Sequence, residues 1–273
     1  MLIQKYPSTR HLEGSRHQMG DSPDDQKLSD LRDEVITWEE KLDGANSGIS
    51  FDQTGQLYLQ SRGHFLTGGG REAHFSLFKT WAAVHASRIF EVTKDRFRIY
   101  GEWLFAKHTL FYDALPHYFM EFDVLDTKDG SFLSTDARRE LLYGLPIVPV
   151  PVVARRAVRH VKDIEAMVAP SLYRTSNWKD ALTEAATASR SRLDMVADQT
   201  DASELSEGLY AKREPNGVVT GRYKYVRGDF LQTILTSDSH WHDRPIIQNG
   251  LAAGIDLFAP DTGVAGAYDD PEI

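Results

Sequence analysis

Apolar residues alternate with small or polar ones through 45–51 (ANSGISF) and again through 56–61 (QLYLQS). The DQTG between them is turn chemistry, so this stretch is predicted to be a β-hairpin. The period then changes. In 73–90 (AHFSLFKTWAAVHASRIF), Phe75, Phe78, Trp81, Ala82 and His85 recur at helical spacing. The runs 96–105 (RFRIYGEWLF) and 117–126 (HYFMEFDVLD) are aromatic and β-branched and read as buried strands. A helix is predicted over 134–145, capped by Ser134 or Thr135, and two more over 157–169 and 177–197. The runs 207–214 (EGLYAKRE) and 220–230 (TGRYKYVRGDF) read as strands separated by the turn PNG. Residues 1–36 are polar and turn-rich, with GDSPDD at 20–25 as the expected mobile loop. There is no internal repeat. Strands, then helices, then strands predict an α+β fold with antiparallel sheets.

Composition narrows the class. The chain has 273 residues, 41% hydrophobic and 26% charged, enough for one large domain or one domain with a small appendage. It has no cysteine, which excludes disulfides, thiolate metal sites and a cysteine nucleophile. No stretch reads as a signal peptide or a membrane span, so a soluble, cytoplasmic protein without membrane contact is expected. A net charge of −9 argues against indiscriminate coating of nucleic acid but leaves room for a local basic groove. One segment is locally basic: 211–227 carries Lys212, Arg213, Arg222, Lys224 and Arg227 against Glu214 alone.

The stretch 37–51 (TWEEKLDGANSGISF) sets one lysine, Lys41, between a glutamate pair and an Asp-Gly turn. A lysine attacks only when neutral, and the neighbouring Glu39, Glu40 and Asp43 oppose that. By itself the string reads as a surface hairpin lysine. Other segments converge on it. SRG at 61–63 closes the hairpin and can return Arg62 to the same mouth. YGEWLF puts Glu102 in an apolar strand, where a carboxylate needs a partner. Phe122 lies between Glu121 and Asp123, Glu207 and Lys212 share a fourth strand, and Arg222 and Lys224 share one face of a fifth.

In this order the segments resemble the motifs of the covalent nucleotidyltransferases, and among them the ATP-dependent RNA ligases of phage and of bacterial RNA-ligase-domain proteins. EKLDGAN (40–46), SRG (61–63), YGEWL (100–104), FMEFDVLD (119–126), EGLYAK (207–212) and RYKYVR (222–227) match six motifs across residues 38 to 227. The 46 residues after Arg227 are too few for the closed OB barrel that follows these motifs in DNA ligases and capping enzymes. The resemblance implies a nucleotidyltransferase fold over 1–228, with antiparallel sheets flanked by helices around an ATP pocket. A short extension, 229–273, would pack on it with a loosely ordered end.

It further implies a three-step reaction. Lys41 would attack the α-phosphate of ATP with Mg²⁺ (or Mn²⁺) present, forming lysyl-AMP. AMP would pass to a 5′-phosphate of RNA, and a 3′-hydroxyl would then displace it. Glu207 is the expected metal contact, Glu102 the ribose contact and Phe122 the adenine stack. Backbone groups of Glu40 and Lys41 would read the adenine edge. Lys224 would contact the α-phosphate and depress the Lys41 pKa. Asn46 and Arg62 would touch nucleotide or RNA phosphate, and Lys212 and Arg222 are further phosphate-side candidates. The implied partners are RNA ends bearing 5′-phosphate and 3′-hydroxyl groups, and an end-healing kinase or phosphatase that supplies them. DNA or hybrid nick sealing, guanylyl transfer and non-catalytic RNA binding are the competing readings. HWH at 240–242 is expected to be structural or RNA-contacting, because nothing nearby completes a zinc set. TGGGRE at 67–72 lacks the P-loop lysine pattern and is expected to be a loop over the nucleotide.

Overall fold

The computed structural model describes residues 2–17, 21, 24–236 and 244–260. Among them the chain forms two sheets. The first runs β1 (Arg10–His11), β12 (Gly221–Val226), β10 (Gly208–Arg213), β2 (Ile36–Lys41) and β9 (Val152–Arg156). The second runs β11 (Val218–Val219), β7 (Ser131–Leu133), β6 (Phe119–Asp126), β5 (Phe97–Trp103), β3 (Ala45–Phe51) and β4 (Leu57–Ser61). A short β8 (Val148–Pro149) joins β6 in parallel, and β1 joins β12 in parallel; the other pairings are antiparallel. The α+β architecture expected from the sequence is therefore present.

The predicted hairpin is β3–β4, in register from Ser47 opposite Ser61 to Phe51 opposite Leu57. Against the second sheet lies α1 (Ser76–Thr93), preceded by a 3₁₀ turn over Gly70–Phe75. Phe78, Trp81, Ala82 and Ile89 of α1 are buried with Ile49, Phe51, Ile99, Trp103 and Phe119. Burying each such large apolar side chain contributes ~1.5–3 kcal/mol. The first sheet has its own core, in which Trp38, Leu209 and Tyr223 pack on Leu12, Leu28 and Leu31 of the N-terminal segment. Helix α2 (Thr135–Leu142) starts as predicted, with the Ser134 hydroxyl accepting from the Ala137 N–H at 3.3 Å.

Three expectations are corrected. The helix predicted over 157–169 shrinks to α3 (Val161–Glu165), because His160 is extended and closes a capping box with Asp163. The helix predicted over 177–197 breaks into α4 (Trp178–Ala188) and α5 (Leu193–Asp198), with Arg190 between them at φ 55°. The strand predicted over 220–230 ends at Val226, and a helix takes over from Gly228. Strand β9, which the sequence reading passed over, follows Pro149 and Pro151 and sits at the edge of the first sheet.

Helix α6 (Gly228–Thr236) spans the expected boundary near 228. Residues 244–260 then pair back on the body. Ala106 bridges Gln248, Leu115 bridges Leu251, and the buried Asn249 accepts from the Tyr112 N–H and donates to the Leu104 carbonyl. HWH, the Gly- and Asp-rich end (261–273) and part of GDSPDD lie outside the described residues. Among the described residues, no helix is long and apolar enough to cross a membrane.

Candidate active site

A cavity of about 990 Å³ opens between the two sheets. The strand burial patterns show how it is furnished. Strand β2 is buried throughout until its last residue, Lys41, which stands half-exposed in the cavity. On β6 the one residue not fully buried is Phe122. Its position follows from a β-bulge. Tyr100 of β5 pairs with Asp123 and Gly101 with Glu121, so Phe122 is the extra residue. A bulge re-aims a side chain without ending the sheet. Phe122 lines the cavity, its ring held edge-on by Tyr6 at 5.1 Å.

Lys41 faces three carboxylates. Its Nζ is 2.7 Å from Glu207 Oε2, and Glu102 and Asp43 lie in the same electrostatic neighbourhood. Asp43 is fixed by the N–H groups of Thr109 and Leu110, both at 2.7 Å. Glu102 accepts from the Gly44 N–H at 3.1 Å. Gly44 is required there, since a Cβ would lie 2.8 Å from the Trp103 carbonyl oxygen and 2.8 Å from Leu104.

Burial raises the Glu102 carboxyl to about 8 and Glu207 to about 7, with Lys41 opposing both shifts. For Lys41, burial disfavours the ammonium, but Glu207, Glu102 and Asp43 outweigh it. The lysine is held above its ordinary value. This corrects the expectation that Lys224 depresses it. The Lys224 ammonium pairs instead with Asp21 at 2.8 Å.

Lys41, Glu102, Phe122, Glu207, Lys224, Asn46, Arg62 and Glu40 all border the cavity. Asn46 Oδ1 is buried with no hydrogen-bond partner. The Glu40 side chain accepts from Ser171 at 2.6 Å, and burial raises its carboxyl to about 7. The Glu40 N–H is taken by the Pro151 carbonyl at 3.1 Å. From TGGGRE, Glu72 reaches the cavity, and its carboxylate accepts from the Gly68 N–H at 2.9 Å.

Lys212 and Arg222 are corrected outright: neither lines the cavity. Lys212 is fully buried, with Nζ 2.9 Å from Glu39 and 3.0 Å from Asp123. Its charge is spent inside the protein and cannot meet a phosphate. Arg222 lies over Phe132 at 3.9 Å and reaches Asp123 at 3.7 Å. Arg227, the last cation of the basic segment, is paired with Asp201.

These residues belong to a layer the sequence did not reveal. Arg138 of α2, itself fully buried, bridges Glu39 of β2 and Glu121 of β6. With Lys212, Arg222 and Asp123 this forms a charge-matched ionic layer joining the sheets behind Phe122 and Lys41. Acidic residues flanking Phe122 and Glu40 were its only local signal.

Similarity to known proteins agrees with this geometry. A family model described as RNA ligase matches residues 34–226. Among solved structures, a mutant Naegleria gruberi RNA ligase with AMP and Mn superposes with a TM-score of 0.51 at 15% identity, covering 82% of this chain and 61% of that one. An archaeal ATP-dependent RNA ligase superposes with a TM-score of 0.50 at 17% identity, covering 84% of this chain and 49% of that one. The chain thus spans about three-fifths and one-half of those two ligases. A search of curated proteins finds no match. With the family pattern running from β2 through β12 and a ligase-like fold around a lysine-bearing cavity, the chain belongs to the RNA ligase family.

Proposed function

We propose that this chain is an ATP-dependent RNA ligase that works through a lysyl-AMP on Lys41 and joins 5′-phosphate to 3′-hydroxyl RNA ends. The observation that carries the reading is Lys41, its Nζ 2.7 Å from Glu207, in a cavity it shares with the bulge-aimed ring of Phe122.

The donor set fits a divalent cation and a triphosphate. Three carboxylates share Lys41, while Arg16, Arg62, Lys224 and Arg244 also line the cavity, so it offers acceptor oxygens to a cation and donors to phosphates. These carboxylates are not gathered closely enough to enclose an ion. Among the described residues, the one such grouping is His11, His17 and Asp21. Glu207 would therefore hold Mg²⁺ or Mn²⁺ only in part, leaving other positions to phosphate and water. When bound, the cation screens charge on the transferring phosphoryl group.

The chain's own groups supply the rest. Phe122 stacks on the adenine and the Glu102 carboxylate accepts from the ribose hydroxyls. The Lys41 ammonium gives up one proton before attack and a second as the phosphoramidate forms; Glu207 Oε2 is positioned to accept one, and solvent takes the other. The N–P bond forms as the α–β P–O bond breaks, and pyrophosphate leaves. The RNA 5′-phosphate oxygen next attacks the same phosphorus, the P–N bond breaks, and Lys41 recovers both protons. The 3′-hydroxyl then attacks the 5′-phosphate, losing its proton to solvent, and AMP departs. Each step is an in-line displacement, so positioning and charge neutralisation supply the rate.

The test is intact mass after pyrophosphate treatment and then fresh ATP with Mg²⁺, for wild type and Lys41→Ala. An AMP adduct on wild type alone is expected. No adduct on wild type would leave a ligase-like fold that binds RNA without chemistry.

A further inference from the structure

The N-terminal segment brings a second set of groups to the same cavity. Strand β1 pairs in parallel with β12 so that His11 stands beside Lys224. His11 is 1% exposed. A chain of contacts holds the ring in place. The Val226 N–H donates to Ser15 Oγ at 2.9 Å, and Ser15 Oγ lies 2.6 Å from His11 Nδ1. In the tautomer that can serve an anion, the Ser15 hydroxyl donates to Nδ1 and the proton sits on Nε2. Gly14 makes this turn at φ 84°, where a Cβ would strike Val161 at 2.6 Å. Arg16, whose N–H is tied to the Val226 carbonyl at 3.1 Å, lines the cavity alongside.

One carboxylate sits among these groups. Asp21 places Oδ2 at 2.9 Å from His11 Nε2 and Oδ1 at 2.8 Å from Lys224 Nζ. Each oxygen meets its own N–H group, as two oxygens on one edge of a tetrahedral phosphate would. We propose that His11, Arg16 and Lys224 form a phosphate cradle in which Asp21 stands in for the anion, so that a phosphate binds by displacing the Asp21 carboxylate.

His11, His17 and Asp21 are also close enough together to hold a metal. The Lys224 ammonium on the same carboxylate opposes a second cation there, and His17 Nε2 is engaged by Asp25 at 2.7 Å. Charge therefore favours the anion. The phosphate has two candidate sources: the β,γ end of ATP, which leaves as pyrophosphate, or the 5′-phosphate of the RNA. Only this choice of source rests on the ligase reading.

Direct binding tests the cradle without any chemistry. Inorganic pyrophosphate is titrated calorimetrically into the full chain as wild type, Asp21→Asn and His11→Ala. Removing the stand-in charge in Asp21→Asn should tighten binding roughly tenfold, and removing the donor in His11→Ala should weaken it by roughly tenfold or more. Because Asp21→Asn is expected to gain affinity, misfolding cannot imitate the result. Unchanged or weaker binding by Asp21→Asn overturns the proposal. So does a stoichiometric Zn²⁺ held by wild type and lost in His17→Ala. Two further arms assign the source. Parallel shifts in the KM for ATP during Lys41 labelling point to the nucleotide. Shifts confined to AMP transfer from labelled enzyme to 5′-phosphorylated RNA point to the RNA end. Failure of Lys41 labelling in wild type would refute the ligase reading and leave the pyrophosphate result standing.

Discussion

Glu207→Gln tests the electrostatics of Lys41 most directly. The substitution keeps the side-chain shape and an acceptor oxygen but removes the charge 2.7 Å from Nζ. In the wild type Lys41 is held above its ordinary value because Glu207, Glu102 and Asp43 together outweigh burial. A raised lysine pKa means the ammonium persists to higher pH, so the neutral amine appears only as pH climbs through that raised value. An opposite charge at such a distance shifts a titration midpoint by ~1–3 pH units, equivalent to about 1.4–4 kcal/mol. Removing it should move the Lys41 midpoint down by that amount, with Glu102 and Asp43 still limiting the fall. Competitive acylation of Lys41 across a pH series, read by peptide mass spectrometry, measures the midpoint without ATP or metal. It is therefore independent of any effect on turnover. Measurements should extend well above pH 7, where Glu207, at about 7, is ionised. A midpoint that stays put, or rises, refutes the argument that Glu207 dominates Lys41.

Three other outcomes follow from the same geometry. Phe122→Ala should raise the KM for ATP in Lys41 labelling by roughly 5- to 100-fold, since base–aromatic stacking is worth ~1–3 kcal/mol; Phe122→Trp should recover most of it, and equal loss in both would refute stacking. Arg138→Met should cost ~3–5 kcal/mol in urea denaturation, because it leaves Glu121 buried without its paired cation and Glu39 with Lys212 alone; a loss below ~1 kcal/mol would mean the ionic layer is not what joins the sheets. Glu102, at about 8, binds a proton in the folded state between its unfolded value near 4.3 and pH 8, so it makes stability fall as pH rises through that window. Glu102→Gln should flatten the stability–pH curve there, by up to ~1.4 kcal/mol per pH unit; parallel curves would count against the raised carboxyl.

Much of the fold was legible because period and strand character coincide with burial. The β3–β4 hairpin announces itself by alternation, and β5 and β6 by aromatic and β-branched runs that turn out to be buried on both faces. What stayed hidden is what depends on context. Arg190 adopts a positive φ that no residue preference signals, so one predicted helix became two. Strand β1 has only two residues, and β9 follows directly on two prolines, Pro149 and Pro151. At the site, Lys41, Glu102, Phe122, Glu207 and Lys224 share one cavity although up to 183 positions separate them. Ordered motifs carried that reading, which no single motif could have done. Lys212 and Arg222 were misjudged because alternation tells which face of a strand a residue occupies and not what covers that face. Here the cover is Asp123 of the other sheet. His11 escaped notice because its meaning comes from Lys224, 213 positions away.

The cavity takes part of its wall from Tyr6 and part from Arg244, almost the full span of the sequence. A ribosome making this chain exposes Lys41 early, long before Glu207, Lys224 and Arg244 have emerged. During that interval the lysine is an ordinary solvated ammonium with no carboxylate pair, no phosphate contact and no closed wall. Competence to react with a nucleotide therefore arrives late in synthesis and nearly all at once. On the proposed reaction, a polypeptide that stops short of Arg244 would not be charged with AMP, and nucleotide labelling would double as a report that the residues through Arg244 have been made and folded.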